Sequence, residues 1–212
     1  MTQSGIPAEN YPFCTIDPNV GIVKIPDYRL SELSKIFIPQ KTTPNFIEFV
    51  DIAGLVKGAS KGEGLGNTFL SHIRDVDAII HVVRIFQDEN ITHIDGDINP
   101  VRDVEVIETE LLIKDLESID KRIEKLKKLT KTGDKKLQQE LDILEYILPQ
   151  MNNGILARNI PLEFSQQQNI QHMLLLTGKP ILYVANLSEE QISDKNNPTT
   201  IKQLITLAKK NN

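Results

Sequence analysis

The residues able to do chemistry sit at the ends of short apolar runs. Phe46-Ile-Glu-Phe-Val-Asp51 leads into Ile52-Ala-Gly54, and glycines follow at 58, 62, 64 and 66. A carboxylate closing an apolar strand, with a glycine three positions on, is how nucleotide-hydrolysing α/β proteins approach Mg²⁺, usually through a water. The glycine leaves its backbone N–H open to a terminal phosphate, and the glycines behind it suit a loop that reorganises between nucleotide states. The same residues also describe a strand ending in a turn, with Asp51 as the N-cap of a following helix.

A second group, Asn186-Leu-Ser-Glu189, follows the apolar run Ile181-Leu-Tyr-Val-Ala. The C-terminal end of a buried strand is where open parallel sheets bind ligands. GTPases carry N-K-x-D there, the Asp accepting from guanine N1–H and the amino group while the Lys stem covers the base. Here Leu187 replaces the Lys and Glu189 the Asp. A carboxylate one methylene longer does not hold the same register against guanine. Adenine, an acceptor at N1, suits a pocket that reads the base through backbone groups near Leu187. Helix capping also accounts for these residues, with Ser188 as N-cap and Gln191 as its capping-box partner, and both roles can hold at once. A third segment, Asn10-Tyr-Pro-Phe-Cys-Thr-Ile-Asp-Pro-Asn19, reads as an ordered loop in which Thr15 is either a Mg²⁺ ligand or an ordinary turn hydroxyl. Oxidation of the neighbouring Cys14 would disturb that loop, but no Lys, Arg or His flanks the thiol to lower its pKa, so a buried unreactive cysteine is the other reading. His72, His81 and His93 have no partner at metal-ligand spacing and read as structural.

Four β-rich runs must position these groups: Val20 to Ile25, Phe46 to Asp51, Ala78 to Arg84 and Pro180 to Asn186. The last three are nearly continuously apolar, which predicts central strands of a parallel sheet covered on both faces. Helices are predicted over Gly66 to Asp75 and over Ile201 to Lys210, the latter from Ile201, Leu204, Ile205 and Ala208 at helical spacing. Strands alternating with helices give an α/β class with right-handed crossovers. Within this frame lies an insertion, Asp103 to Leu176. Leu112, Leu116, Ile119, Ile123 and Leu126, then Leu137, Leu141, Leu144 and Leu148, repeat at steps of 3 and 4 on either side of Gly133, which predicts an antiparallel helical hairpin with a coiled-coil seam. Its tip, Lys121 to Lys136, holds eight basic residues and two acidic ones, a local charge of +6 in a chain of net charge −5. Such a tip is either a solvated charged turn or a knob that touches RNA phosphates.

Composition narrows the classes. At 212 residues, 40% hydrophobic and 25% charged, the chain can bury a core and is neither disordered nor fibrous. The longest nearly apolar stretch, Ala78 to Phe86, is interrupted by His81 and Arg84, far short of the ~20 residues a membrane helix needs. Met1 to Asn10 lacks the basic start and apolar run of a signal peptide. With one cysteine, the expectation is a cytoplasmic protein in a reducing compartment, with no membrane partner.

Taken together, the Asn10 to Gly21, Phe49 to Asn67 and Asn186 to Glu189 blocks resemble the YchF/Obg-like ATPases, the Obg-type branch of the P-loop GTPases. Further matches are Asp88 to Gly96, Asn99-Pro100 and Gly133 to Lys136, so the similarity runs from about Gly5 to Glu190. The resemblance implies a partial P-loop NTPase G domain, α/β with a mostly parallel sheet, carrying an inserted coiled-coil hairpin. It implies binding of ATP in preference to GTP, hydrolysis with Mg²⁺, and association with ribosomes. Thr15 then matches the switch I Mg²⁺ ligand, Asp51 (through water) and Gly54 the switch II D-x-x-G, and Asn186, Leu187 and Glu189 the altered base-recognition motif. Leu55 stands where many GTPases carry a water-orienting Gln. The expected division is residues 1–102 and 177–212 for the G domain and 103–176 for the insertion.

The sequence departs from that family in one respect. No G-x-x-x-x-G-K-[ST] string, whose amides and Lys hold the phosphates, occurs in the 212 residues, nor does the family's C-terminal TGS domain. Losing three charge-assisted phosphate contacts costs roughly 4 kcal/mol, about a thousandfold in affinity. The expectation is a truncated form of a longer ATPase that binds MgATP poorly. The alternative is a nucleotide-independent module that binds ribosomal RNA through the basic hairpin.

Overall fold

A computed structural model describes residues 19–52, 65–87, 98–193 and 199–211. The chain divides into two compact units, Met1–Gly54 and Leu55–Asn212.

In the first unit, β1 (Asn19–Lys24) pairs antiparallel with β2 (Phe46–Asp51), from Asn19 opposite Asp51 to Lys24 opposite Phe46. Between them runs α1 (Tyr28–Phe37). The sequence reading missed this helix, although Asp27 marks its start: the Asp27 carboxylate accepts from Arg29 N–H at 2.9 Å, and Ile38 closes the helix with φ 44°. The strand boundaries agree with expectation; the pairing of β2 does not. β2 was expected as a central strand of a parallel sheet, yet it lies in an antiparallel pair and leaves Phe46 and Ile47 about half exposed. A short apolar run alone cannot distinguish a strand covered on both faces from one in a two-stranded ribbon.

The second unit is built on a parallel pair, β3 (Ile79–Arg84) and β4 (Ile181–Asn186), in register from Ile79 beside Ile181 to Arg84 beside Asn186. The pairing is parallel as expected, but among the described residues the sheet has only these two strands and leaves Val82 and Leu182 more than half exposed, so neither is a central strand covered on both faces. The helix α2 (Leu65–Asp75) precedes β3. The chain then enters α3 (Pro100–Leu129), which Asn99 caps by accepting from Arg102 N–H at 3.1 Å and which Pro100 starts with a φ suited to a first turn. At 30 residues and 1.5 Å per residue it is about 45 Å long. Gly133, at φ 84°, reverses the chain, and Asp134 caps α4 (Lys135–Asn152) through Lys136 N–H at 2.8 Å. All nine seam residues named from their spacing lie in or against one core cluster, which Ile143, Ile147, Met151 and the short α5 (Phe164–Ile170) complete. A smaller cluster of Val83, Ile85, Val104, Ile201 and Leu204 packs β3 against α3 and α7 (Thr199–Lys210). Between β4 and α7 stands the single turn α6 (Glu189–Ser193).

Asp115 fastens the hairpin to the approach to β4. Its side chain is fully buried and accepts from Leu176 N–H at 2.8 Å, Thr177 N–H at 2.7 Å and Thr177 Oγ1 at 2.7 Å. Among the described residues, no helix is long and apolar enough to cross a membrane.

Candidate functional site

At the end of β4, Ile85 N–H donates to Asn186 O at 2.9 Å, so the two strand ends stay paired where the loop begins. Asn186 is exposed. Leu187 is half-buried and packs against the β3–α7 cluster, so its side chain is committed to the core. The loop is closed by reciprocal hydrogen bonds: Ser188 N–H to Gln191 Oε1 at 3.0 Å and Gln191 N–H to Ser188 Oγ at 3.2 Å. This is the capping box read from the sequence. Gln191 Nε2 reaches Ile85 O at 3.4 Å, and Glu189 is exposed in the first turn of α6.

Asp51 closes β2 in the first unit, exposed and without a side-chain partner among the described residues. A free carboxylate of this kind suits a water-mediated Mg²⁺ contact, since hard cations take oxygen donors. Asn186, Leu187 and Glu189 belong to the second unit. Thr15, Cys14, Gly54, Leu55 and His93 lie outside the described residues, as do Gly58, Gly62 and Gly64, while Gly66 falls in α2. Among the described residues no group of three or more His, Cys, Asp or Glu side chains could hold a metal ion.

At the hairpin tip two of the eight basic residues are engaged. Arg122 donates to Glu140 through Nε at 2.6 Å and Nη2 at 2.7 Å, and Lys127 pairs with Glu145 at 2.9 Å. Burial pushes the Glu140 carboxyl up, but Arg122, with His172 Nε2 at 3.1 Å, outweighs it and holds the group below its ordinary value. Lys121, Lys125, Lys128, Lys131, Lys135 and Lys136 are exposed and have no ion pair among the described residues.

Sequence reasoning missed a buried group on the helix-facing side of β4. The Tyr183 hydroxyl donates to Glu108, Arg158 pairs with the same carboxylate, and burial, with Glu108 alongside, pushes the phenol up to about 12. No local signal could have found it, because its members lie 25 or more positions apart. His81 of β3 stands 5.9 Å from the Tyr183 ring; burial, and then the charge of Arg158, lower its pKa to about 4. The unfolded chain, with its imidazole near 6.5, binds that proton first. The stability His81 contributes by staying neutral is therefore present above pH 6.5 and lost as pH falls to about 4. The expected loss is roughly 3 kcal/mol between pH 7 and pH 4, and His81→Phe removes that share of the acid sensitivity. Urea titrations at both pH values check this; equal acid sensitivity in the variant would contradict it.

A family model described as "50S ribosome-binding GTPase" matches residues 1–136. The chain is 53% identical over 194 residues to the "Ribosome-binding ATPase YchF" of Bacillus subtilis (strain 168), covering 92% of this chain and 53% of that protein. It is 50% identical over 198 residues to the protein of the same name from Escherichia coli O157:H7, covering 93% and 54%. Among solved structures it is similar to the Schizosaccharomyces pombe YchF GTPase, with a TM-score of 0.72, 38% identity, and coverage of 95% of this chain and 55% of that one. The chain thus spans about half the length of the curated relatives it matches.

Proposed function

This chain belongs to the 50S ribosome-binding GTPase family, in its YchF branch, and from that premise we propose that it is a ribosome-associated nucleotide-binding protein gripping RNA with its hairpin tip. The observation that carries the reading is the division of labour among the tip cations. Arg122 and Lys127 hold α3 against α4, while six lysines remain unpaired and exposed on one projection. Unpaired lysines raise no cost of breaking an ion pair when they meet phosphate, and each one that does releases a counterion. Cytoplasmic residence accords with a ribosomal partner.

The nucleotide is ATP, with GTP the weaker ligand, and Mg²⁺ accompanies it. Thr15 and, through water, Asp51 are assigned to the metal, and Asp51 and Gly54 to the phosphate end. Asn186, Leu187 and Glu189 are assigned to the base. Supporting this is the core packing of the Leu187 side chain, which leaves the loop backbone as the part able to meet an adenine edge. Mg²⁺, when bound, would neutralise charge between the phosphates. The G domain would comprise 1–102 and 177–212, with 103–176 inserted. Without a G-x-x-x-x-G-K-[ST] string, these 212 residues hold the phosphates weakly.

The test is one titration series on the 212-residue chain, with a ~16-base-pair RNA duplex and with MgATP. Expected are RNA binding that weakens steeply between ~50 and ~200 mM salt and MgATP binding no tighter than ~1 mM. RNA affinity indifferent to salt would overturn the tip reading. Micromolar MgATP binding would overturn the reading that these 212 residues hold the phosphates weakly.

A further inference from the structure

Apart from the strand ends and the tip, one buried polar cluster has no part in the functions above. Glu108 of α3, 7% exposed, accepts from Arg158 Nη2, from the Tyr183 hydroxyl and from Asn211 Nδ2 at 3.1 Å. Asn211 Nδ2 also donates to the Tyr183 oxygen at 2.9 Å, and Arg158 Nη1 to Thr177 O at 3.3 Å. The cluster therefore joins α3, the turn Ala157–Asn159, β4 and the residue that follows α7. One donor in it is left over, for Arg158 Nε is buried without a partner among the described residues. A buried unsatisfied donor is stored strain, which a second arrangement of the same groups can relieve, and two arrangements are what a switchable element requires.

The position of the cluster gives that second arrangement a use. The helix α3 runs unbroken from Glu108 to Leu129, about 30 Å at 1.5 Å per residue, and Lys125 and Lys128 ride on its far end. At the near end Tyr183 stands on β4 three residues before Asn186. The densely packed seam gives the hairpin little room to absorb a displacement internally. Asp115, about two turns (~10 Å) along α3 from Glu108, pins the same helix to Leu176 and Thr177 ahead of β4. Motion of the tip therefore reaches β4 through these buried carboxylates.

We propose that the Glu108–Arg158–Tyr183–Asn211 cluster couples occupancy of the hairpin tip to the position of the Asn186 end of β4. This rests on the RNA reading above and adds regulation to it. Because coupling is reciprocal, a change at Tyr183 must also alter the affinity of the tip for RNA.

The test uses the whole chain with fluorine-labelled tyrosine, its Tyr183 resonance assigned with Tyr183→Phe, and the same RNA duplex. Expected is a Tyr183 resonance that moves during titration with the midpoint of RNA binding, and that Glu108→Gln leaves stationary while RNA still binds. Tyr183→Phe, which keeps the ring and drops the hydroxyl, should change RNA affinity by roughly fivefold or more. A wild-type resonance unmoved at full RNA occupancy overturns the coupling and leaves the RNA reading intact. Absence of RNA binding overturns the RNA reading, and the coupling with it. The wild-type titration decides the matter even if Glu108→Gln fails to fold.

Discussion

Reversing Lys125, Lys128 and Lys131 together to Glu is expected to lower affinity for the RNA duplex by about a thousandfold at ~0.15 M salt. Three lost phosphate contacts remove nearly three released counterions, about a hundredfold at that salt, and three new negative charges add repulsion. The structure selects these positions. Lys127, which sequence alone would include, pairs with Glu145 at 2.9 Å, so reversing it would also place two carboxylates together and confuse loss of binding with damage to the hairpin. Reversal of the exposed Lys202, Lys209 and Lys210 on α7 is the control, since it makes the same change in net charge and is expected to cost about tenfold or less through the general field alone. If both triple variants lose affinity equally, total charge rather than the tip attracts RNA. Filter binding across a salt series measures both, and the slope of log K against log salt should fall by about three units for the tip variant.

Asp115→Ala is expected to destabilise the chain by about 3 to 5 kcal/mol. The loss leaves Leu176 N–H, Thr177 N–H and Thr177 Oγ1 facing a small buried hole, and each stranded donor costs about 1 to 3 kcal/mol. Burial pushes the Asp115 carboxyl above its ordinary value; the hydrogen bonds from Thr177 and Leu176 pull the other way without cancelling it. The carboxylate is thus held at a desolvation cost that only the full set of donors offsets. Asp115→Asn, which keeps an acceptor oxygen and the volume, should lose less than half as much. Urea unfolding of both variants checks the pair; a loss below about 1 kcal/mol for the alanine variant would mean that water replaces the carboxylate at no cost.

What the sequence revealed divides along a physical line. Features set by neighbours a few positions apart were legible: the seam steps of 3 and 4, the turn at Gly133, the Ser188–Gln191 capping box, and strand limits within one residue of those found. The helix α1 was also written locally, in Asp27 and the apolar residues that follow it. It went unseen because ten residues give fewer than three turns of pattern, too few to separate it from a loop when no neighbouring segment repeats it. Features set by the closing of the chain were not legible. Nothing in Phe46 to Asp51 states that its partner is Asn19–Lys24, and nothing in Glu108 announces Tyr183 or Asn211. Among the assigned site residues, the end of β4 carried a local signature in its capping box, whereas Asp51 rests on a four-residue pattern whose glycine lies outside the described structure.

The unbroken course of α3 also fixes how the molecule can vary in reach. The residues that tie the hairpin to the sheet, Glu108 and Asp115, precede most of the seam; beyond them α3 and α4 pack chiefly on each other and on the segment around α5 until Gly133 turns the chain, with Ser118 still touching Arg74 of α2 at 3.3 Å. Adding or removing seven residues in α3 and seven in α4 between Leu116 and Leu148 would preserve the repeat and move the tip by about 10 Å per heptad. Arm length is therefore a dimension that can change in whole steps without disturbing the sheet. A cut at residue 103, by contrast, would sever the very helix that holds β4.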